Sequence, residues 1–428
     1  MTSDFSSDEA ERQSRQREDF LRQLAAAYGT PLYVYDLKIV RQYAQVLQRI
    51  LPRGIEIHYS VKANPHPLLI AALTQLGIRA EISSEGELDA TLAAAVRHDH
   101  ILYTGPAKTA SELRRAIESG VRLFSVESQV DRDRLASAAC GMDVAYLIRL
   151  ACGSGSGPVG LRMTGAPSQF GVYPAGPLPG PDLLNSEDGG HAAGFHVFSA
   201  SNAKDEAALI TEFAANINTV SAAVARAGFE AQLVDIGGGF GAPYAAPGSP
   251  PEYPHLRAAL SYHLDEGLPG WRTAEPRVMV ESGRYLVAAA GTLLTTVMDI
   301  KENGGNRYLL CDAGINALGG MHGLGRLVNP KAQPENQSSD SGPVVLAGPL
   351  CTPLDILSRS ARIDRPTIGG VLAIPNVGAY GLTASLVAFL SRPVAAEIVV
   401  DGAEVVAARR LGFVQFPLSP TLPTDWRK

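Results

Sequence analysis

The strongest constraint on the fold of this 428-residue chain is an alternation of short β-branched or apolar runs with stretches of helical spacing. The runs fall at Ile55–Val61, Ile78–Ile82, Ile101–Tyr103, Arg122–Val126, Ala145–Leu150, Gly194–Phe198, Gln232–Ile236 and Val278–Glu281. Between most of them, Pro67–Leu76, Gly86–Val96, Ala110–Ser119, Val130–Ala139 and Lys204–Ala227 place apolar residues three and four apart. Strands separated by helices pair in parallel, and eight such units match a TIM-type (β/α)8 barrel in an α/β chain. A doubly wound open sheet is the competing arrangement.

Beyond residue 286 the helical spacing stops. Thr292–Asp299, Tyr308–Cys311, Val344–Leu346, Val371–Ile374 and Glu397–Val400 are strand-like and are divided by Gly, Pro and Asn, so a mostly β C-terminal domain is expected. The predicted division is a polar arm at 1–27, a first strand at 28–37 that belongs with the β domain, a barrel at 38–286 and the β domain at 287–428. Residues 2–19 read as a frayed helix or disordered arm, and Pro334–Gly342 as a loop.

Charge and cysteine usage limit the function classes. With 43 acidic residues against 37 basic, the net charge of −6 argues against a broad grip on nucleic acid or an anionic membrane. The four cysteines, at 140, 152, 311 and 351, have neither Cys-x-x-Cys spacing nor the density of a secreted disulfide framework, so a reducing cytoplasm is expected and no metal site. Met1–Arg22 has no apolar signal core, and Tyr285–Ile300 is too short and too rich in Gly and Thr to span a bilayer. Function must reside in a site.

In a barrel of this kind the site lies at the C-terminal ends of the strands. Lys62, Ser84, Glu127, Arg149, His196, Gly237–Gly239 and Glu281 all fall at or near such ends. Lys62 is either a solvated lysine or, desolvated among small neighbours, an amine of lowered pKa that forms a Schiff base with an aldehyde. Gly237, Gly238 and Gly239 form either a purely structural turn or one whose N–H groups converge on a phosphate. A dinucleotide fingerprint through Ala242 fails, because Pro243–Pro247 follows instead of a helix. Glu281 and Arg284 form either a structural ion pair or a divided site, in which the carboxylate keeps a heteroaromatic nitrogen protonated and the guanidinium holds a phosphate or carboxylate. Cys351, on a tight Gly-Pro turn, is either a small hydrophobe or, with Asp355 nearby, a proton-transfer group. Tyr380, between small residues, suits a phosphate contact or core packing.

Taken in order, these segments resemble the fold-type III pyridoxal-phosphate decarboxylases, the group of diaminopimelate, ornithine and arginine decarboxylases, from about Tyr28 to Leu411. The resemblance implies an alanine racemase-like fold, pyridoxal 5'-phosphate as cofactor, and α-decarboxylation of an amino acid or conjugate with release of carbon dioxide. Lys62 resembles the lysine that carries the cofactor, Gly237–Gly239 the phosphate cradle, Glu281 the partner of the pyridine nitrogen, and Tyr380 a further phosphate ligand. Arg284 resembles the arginine of the family's Glu-Pro-Gly-Arg motif, which contacts phosphate or substrate; Arg149 and Asp355 are further substrate-binding candidates. Aligned on Ser201, itself a cofactor contact, the ring-stacking position is Phe198, with His196 two residues earlier, and either can stack.

Cys351 resembles the cysteine that protonates the substrate carbanion from the partner subunit, which implies a homodimer with shared active sites. Diaminopimelate decarboxylases follow that cysteine with a glutamate that reads a distal ammonium; Thr352 stands there in this chain. The strings around His196, Gly237–Tyr244, Glu281–Leu286 and Gly348–Pro353 resemble a natural-product branch. That branch includes the decarboxylase of glutamyl groups on an acyl carrier protein in butirosin biosynthesis, along with siderophore enzymes. An acidic carrier protein would then meet the basic segment Arg359–Arg365. The competing readings are diaminopimelate decarboxylation in lysine biosynthesis, a racemase, which would set an arginine where Glu281 stands, and a non-catalytic homologue.

Overall fold

The computed structural model describes residues 2–151, 159–162, 169–173, 190–203, 205–227, 230–319, 331–335 and 341–415. The chain begins with α1 (Thr2–Tyr28), β1 (Leu32–Asp36) and α2 (Leu37–Ile50). The next elements are β2 (Glu56–Ser60), α3 (Pro67–Thr74), β3 (Arg79–Ile82), α4 (Glu85–Ala93), β4 (Ile101–Tyr103), α5 (Ala110–Glu118), β5 (Leu123–Val126), α6 (Gln129–Ala139) and β6 (Val144–Leu150). Then come β7 (Val159–Arg162), β8 (Gly190–Val197), β9 (Ala200–Ala203), α7 (Glu206–Ala227), β10 (Leu233–Asp235), α8 (Leu256–Gly267), β11 (Arg277–Ser282) and α9 (Arg284–Val287). Seven strands complete the described chain: β12 (Gly291–Asn303), β13 (Asn306–Cys311), β14 (Val344–Ala347), β15 (Ile356–Ala361), β16 (Val371–Ile374), β17 (Ala396–Asp401) and β18 (Glu404–Arg410).

β2, β3, β4, β5, β6, β8, β10 and β11 close into a parallel barrel, as the alternation predicts; the open sheet is not formed. Strand parity sets what faces where. Tyr146, Ile148, Phe195, Val197, Val278 and Val280 lie in the main core with the helices, whereas Leu102, Leu147, Ala193, Leu233 and Met279 form a separate apolar layer. Two residues beyond Leu147, Leu233 and Met279, the same parity brings Arg149, Asp235 and Glu281, all buried. The interior is thus apolar at one level and polar at the next, towards the C-terminal ends. Helix α7 is long and apolar enough for a bilayer by composition, but its Leu209, Phe213, Ile217 and Val220 are buried in the main core.

The second sheet runs β15-β14-β13-β12-β1-β17-β18, with β16 pairing β12. β1 lies antiparallel to β12 and parallel to β17, so the first strand completes a sheet built from the far end of the chain. Of the two readings of the polar N-terminus, the helix is the one formed. It is α1, whose Leu21, Leu24 and Ala25 are buried against Leu32, Val34, Leu294 and Ile398, while Arg17 pairs with Glu335 at 2.6 Å. Three apolar residues at helical spacing suffice to seat an otherwise charged helix.

Loops tie the β domain onto the barrel mouth. The Tyr380 amide donates to Ala63 O at 2.8 Å, and Asn64 Nδ2 donates to Gly378 O at 2.9 Å. Tyr244 Oη donates to Tyr380 O at 2.9 Å.

Candidate active site

Lys62 lies in a short 3-10 turn directly after β2, with its side chain 40% exposed at the barrel mouth. Its Nζ is 2.9 and 3.1 Å from the two carboxylate oxygens of Glu81, which is buried on β3 and also accepts hydrogen bonds from Thr104 Oγ1 and Ser83 Oγ. Desolvation works to lower the Lys62 pKa, but Glu81 and then Glu281 outweigh it and hold the ammonium above its ordinary value. This corrects the expectation of a lowered pKa: the neighbours visible in sequence are small, but the one on the adjacent strand β3 is a carboxylate.

Glu281 ends β11 opposite β2 and is 2% exposed. Its Oε1 is 3.2 Å from His196 Nε2, close enough for an ion contact but not aligned as a hydrogen bond. His196 Nδ1 pairs with Ser125 Oγ at 2.9 Å, which fixes the ring. Burial would raise the Glu281 carboxyl, but His196 and Lys62 prevail and hold it at about 2. The structural ion pair with Arg284 is not formed. Arg284, buried at the start of α9, lies 4.8 Å over the Tyr380 ring, and burial lowers its pKa.

The glycine run follows β10. Gly237 sits at φ +74°, and its amide donates to Asp235 Oδ1 at 2.8 Å. A Cβ on Gly237 would lie 2.4 Å from Val197 O, and one on Gly238 2.0 Å from Glu281 O, so side chains are excluded and backbone N–H groups stand at the mouth. The Phe198 ring packs beside these glycines, with Lys62 Nζ 5.8 Å from its centre. His196 and Phe198 therefore differ in place: His196 lies in the buried interior beside Glu281, Phe198 at the mouth between Lys62 and the glycines. Ser201 is on β9, whose Ala203 amide donates to Gly239 O at 2.8 Å. Ser84 caps α4, accepting the Glu87 amide at 3.2 Å.

Two expected site residues, Arg149 and Asp355, have partners elsewhere in the chain. Arg149 Nη1 is 3.0 Å from Glu127 Oε1, and its guanidinium stacks 4.9 Å from the Phe170 ring. Glu127 Oε2 in turn accepts the Gly171 amide at 2.9 Å, so Arg149 and Glu127 together hold a returning loop. Both Asp355 oxygens are taken by backbone amides, from Ile315 and Leu350, each at 2.7 Å. Asp355 thereby shapes the turn that carries Cys351. Cys351 is exposed, and among the described residues no hydrogen bond or ion pair ties it to the barrel mouth.

Residues 37–288, more than half of the chain, match the family described as pyridoxal-dependent decarboxylase, pyridoxal binding domain. The chain belongs to this family. The decarboxylase is 28% identical to a diaminopimelate decarboxylase of Zymomonas mobilis over 95% of this chain and 96% of that one. It is 27% identical to the L-glutamyl-[BtrI acyl-carrier protein] decarboxylase of Niallia circulans, over 94% and 96% of the two chains. A solved structure of diaminopimelate decarboxylase from M. jannaschii with L-lysine superposes with a TM-score of 0.74 at 26% identity, covering 90% of both chains.

Its cofactor is pyridoxal phosphate, and the residues present fit that group. Glu281 Oε1, buried without a hydrogen-bond partner, is an acceptor for a protonated pyridine nitrogen; the Gly238 and Gly239 amides suit a phosphate, and Lys62 offers an amine. Glu81, Ser125 and Asp235 complete the site but carry no mark in the sequence. Their one signal is inward strand parity just before a strand end.

Proposed function

We propose that this decarboxylase acts on a conjugated amino acid rather than on free diaminopimelate, in a homodimer whose subunits share active sites. The observation that carries the substrate reading is the Cys351 turn. Thr352 follows the cysteine, and the nearby Asp355 has both oxygens committed to backbone amides, so the turn presents no carboxylate to a distal ammonium. The similarity to a decarboxylase of carrier-bound glutamyl groups supports it, as do the exposed Arg359, Arg362 and Arg365, which suit an acidic carrier. The dimer reading is supported by exposed Leu354, Leu386, Phe389 and Leu390. Arg392, whose Nη2 donates to Pro349 O at 3.1 Å, links their segment to the Cys351 turn.

Bound pyridoxal phosphate supplies the electron sink for the pair left behind when the substrate carboxylate departs as carbon dioxide. Lys62 would carry the cofactor through Nζ, and Glu81, 2.9 Å from that nitrogen, would hold the ammonium whenever the lysine is free. The Glu281 carboxylate keeps a proton on the pyridine nitrogen. His196, fixed by Ser125, backs that pair, and Phe198 walls the mouth. Gly237–Gly239, Ser201, Arg284 and Tyr380 hold the phosphate end, where Arg284 also lies within reach of a substrate carboxylate. Cys351 Sγ, delivered by the second subunit, returns a proton to Cα. The test is carbon dioxide release from free and carrier-linked amino acids, with mass spectrometry of the products. Faster turnover of a carrier-linked substrate is expected, and equal or faster turnover of free diaminopimelate overturns the reading.

A further inference from the structure

The barrel interior holds a second carboxyl group that the reaction above leaves without a role. Asp235 is fully buried at the end of β10. Its Oδ1 accepts the Gly237 amide at 2.8 Å, whereas Oδ2 has no hydrogen-bond partner. Polar atoms of Asp235, His196 and Glu281 all lie within 4.8 Å of one another. Two carboxylates this close, sealed from water, do not both ionise without a cation between them. Glu281 takes the charge because Lys62 and His196 favour its anion. Burial, then Glu281 and to a lesser degree Glu81, push the Asp235 carboxyl well above the usual carboxylate range; the Gly237 amide and, more weakly, Arg149 only partly oppose them.

We propose that Asp235 is a positioning residue that works as a neutral carboxylic acid and joins the two ends of the cofactor cradle. Oδ1 fixes the Gly237 amide where the phosphate turn begins, and the Oδ2 hydroxyl donates towards the Glu281 carboxylate, which stays anionic and aimed at the pyridine nitrogen. The proposal rests on the chain holding pyridoxal phosphate at this site.

Asp235→Asn separates a neutral donor from an anion. Its amide oxygen can still accept the Gly237 N–H, and its NH2 can donate to Glu281; Asp235→Ala does neither. Apoenzyme is titrated with pyridoxal phosphate, reading affinity, the visible absorption band and the apoenzyme melting temperature. Asp235→Asn is expected to bind within about 3-fold of wild type with the same band, and Asp235→Ala to weaken binding about 10-fold or more. Equal weakening by both variants overturns the proposal, because it shows that the anion is needed. If Asp235→Ala is insoluble, Asp235→Ser, too short to reach both partners, replaces it with the same two outcomes. Absence of a Lys62-dependent band in wild type counts instead against the cofactor site itself.

Discussion

Lys62 Nζ and Glu81 Oε2 are 2.9 Å apart, so the amine that must become a nucleophile is held as an ammonium by a buried carboxylate. Releasing that proton is the first requirement of cofactor attachment. Glu81→Gln keeps the shape and removes the charge, so the pH midpoint for developing the visible band in apoenzyme is expected to fall by about 1 pH unit or more. An unchanged midpoint would show that Glu81 does not control the Lys62 proton.

Gly238 offers a steric test of the phosphate cradle. A methyl group there would sit 2.0 Å from Glu281 O, and because the obstacle is backbone, the strand end itself must shift. Gly238→Ala is expected to destabilise the fold by about 1–3 kcal/mol and to weaken cofactor binding. At Gly86, on α4, an added Cβ would meet no atom closer than 4.0 Å. Gly86→Ala is expected to leave binding unchanged and to match or exceed wild-type stability, by up to about 1 kcal/mol. Thermal unfolding and cofactor titration of the two variants check both halves.

Arg149 and Glu127 form a buried pair, so removing one partner leaves the other charge uncompensated. Arg149→Met is expected to cost about 3 kcal/mol, and adding Glu127→Gln to recover part of it. Chemical denaturation of the three variants reads the coupling. Additive losses would mean that the pair is not the anchor of the Phe170–Gly171 segment.

Much of this was legible because function and strand ends coincide in a barrel. Lys62, Gly237–Gly239 and Glu281 each combine an unusual residue with a place just after an apolar run. Glu81, Ser125 and Asp235 are ordinary polar residues inside short strands, where sequence cannot distinguish an inward carboxylate from a solvated one. Arg149 and Asp355 show the opposite limit. Their type and place suit a ligand, but sequence does not reveal that Glu127 pairs with Arg149 or that two backbone amides bond to Asp355. The seating of helix α1 on the sheet was not legible, because it depends on only Leu21, Leu24 and Ala25 in a polar segment.

Shared active sites make a complementation prediction. If Cys351 crosses to the other subunit, mixing Lys62→Ala with Cys351→Ala chains lets half of the dimers combine one intact lysine site with one intact cysteine, restoring about a quarter of wild-type activity. Each variant alone is expected to be nearly inactive, and Cys351→Ala to bind cofactor normally. Failure of activity to return, with mixed dimers verified by mass spectrometry, would place Cys351 in its own subunit's site.

The last prediction concerns pH. Glu87 accepts the Ser83 amide at 2.7 Å, and burial together with Glu81 pushes its carboxyl up from 4.5 to about 7. The folded chain therefore binds a proton more tightly than the unfolded chain does. The stability this contributes is fully present below about pH 4.5 and is lost as the pH rises through about 7. Glu87→Gln keeps an acceptor for Ser83 without a titrating group. Its melting temperature is expected to fall less between pH 5 and pH 8 than that of wild type, by about 2 °C or more. Parallel melting curves for the two proteins across that range would assign the pH dependence to other groups.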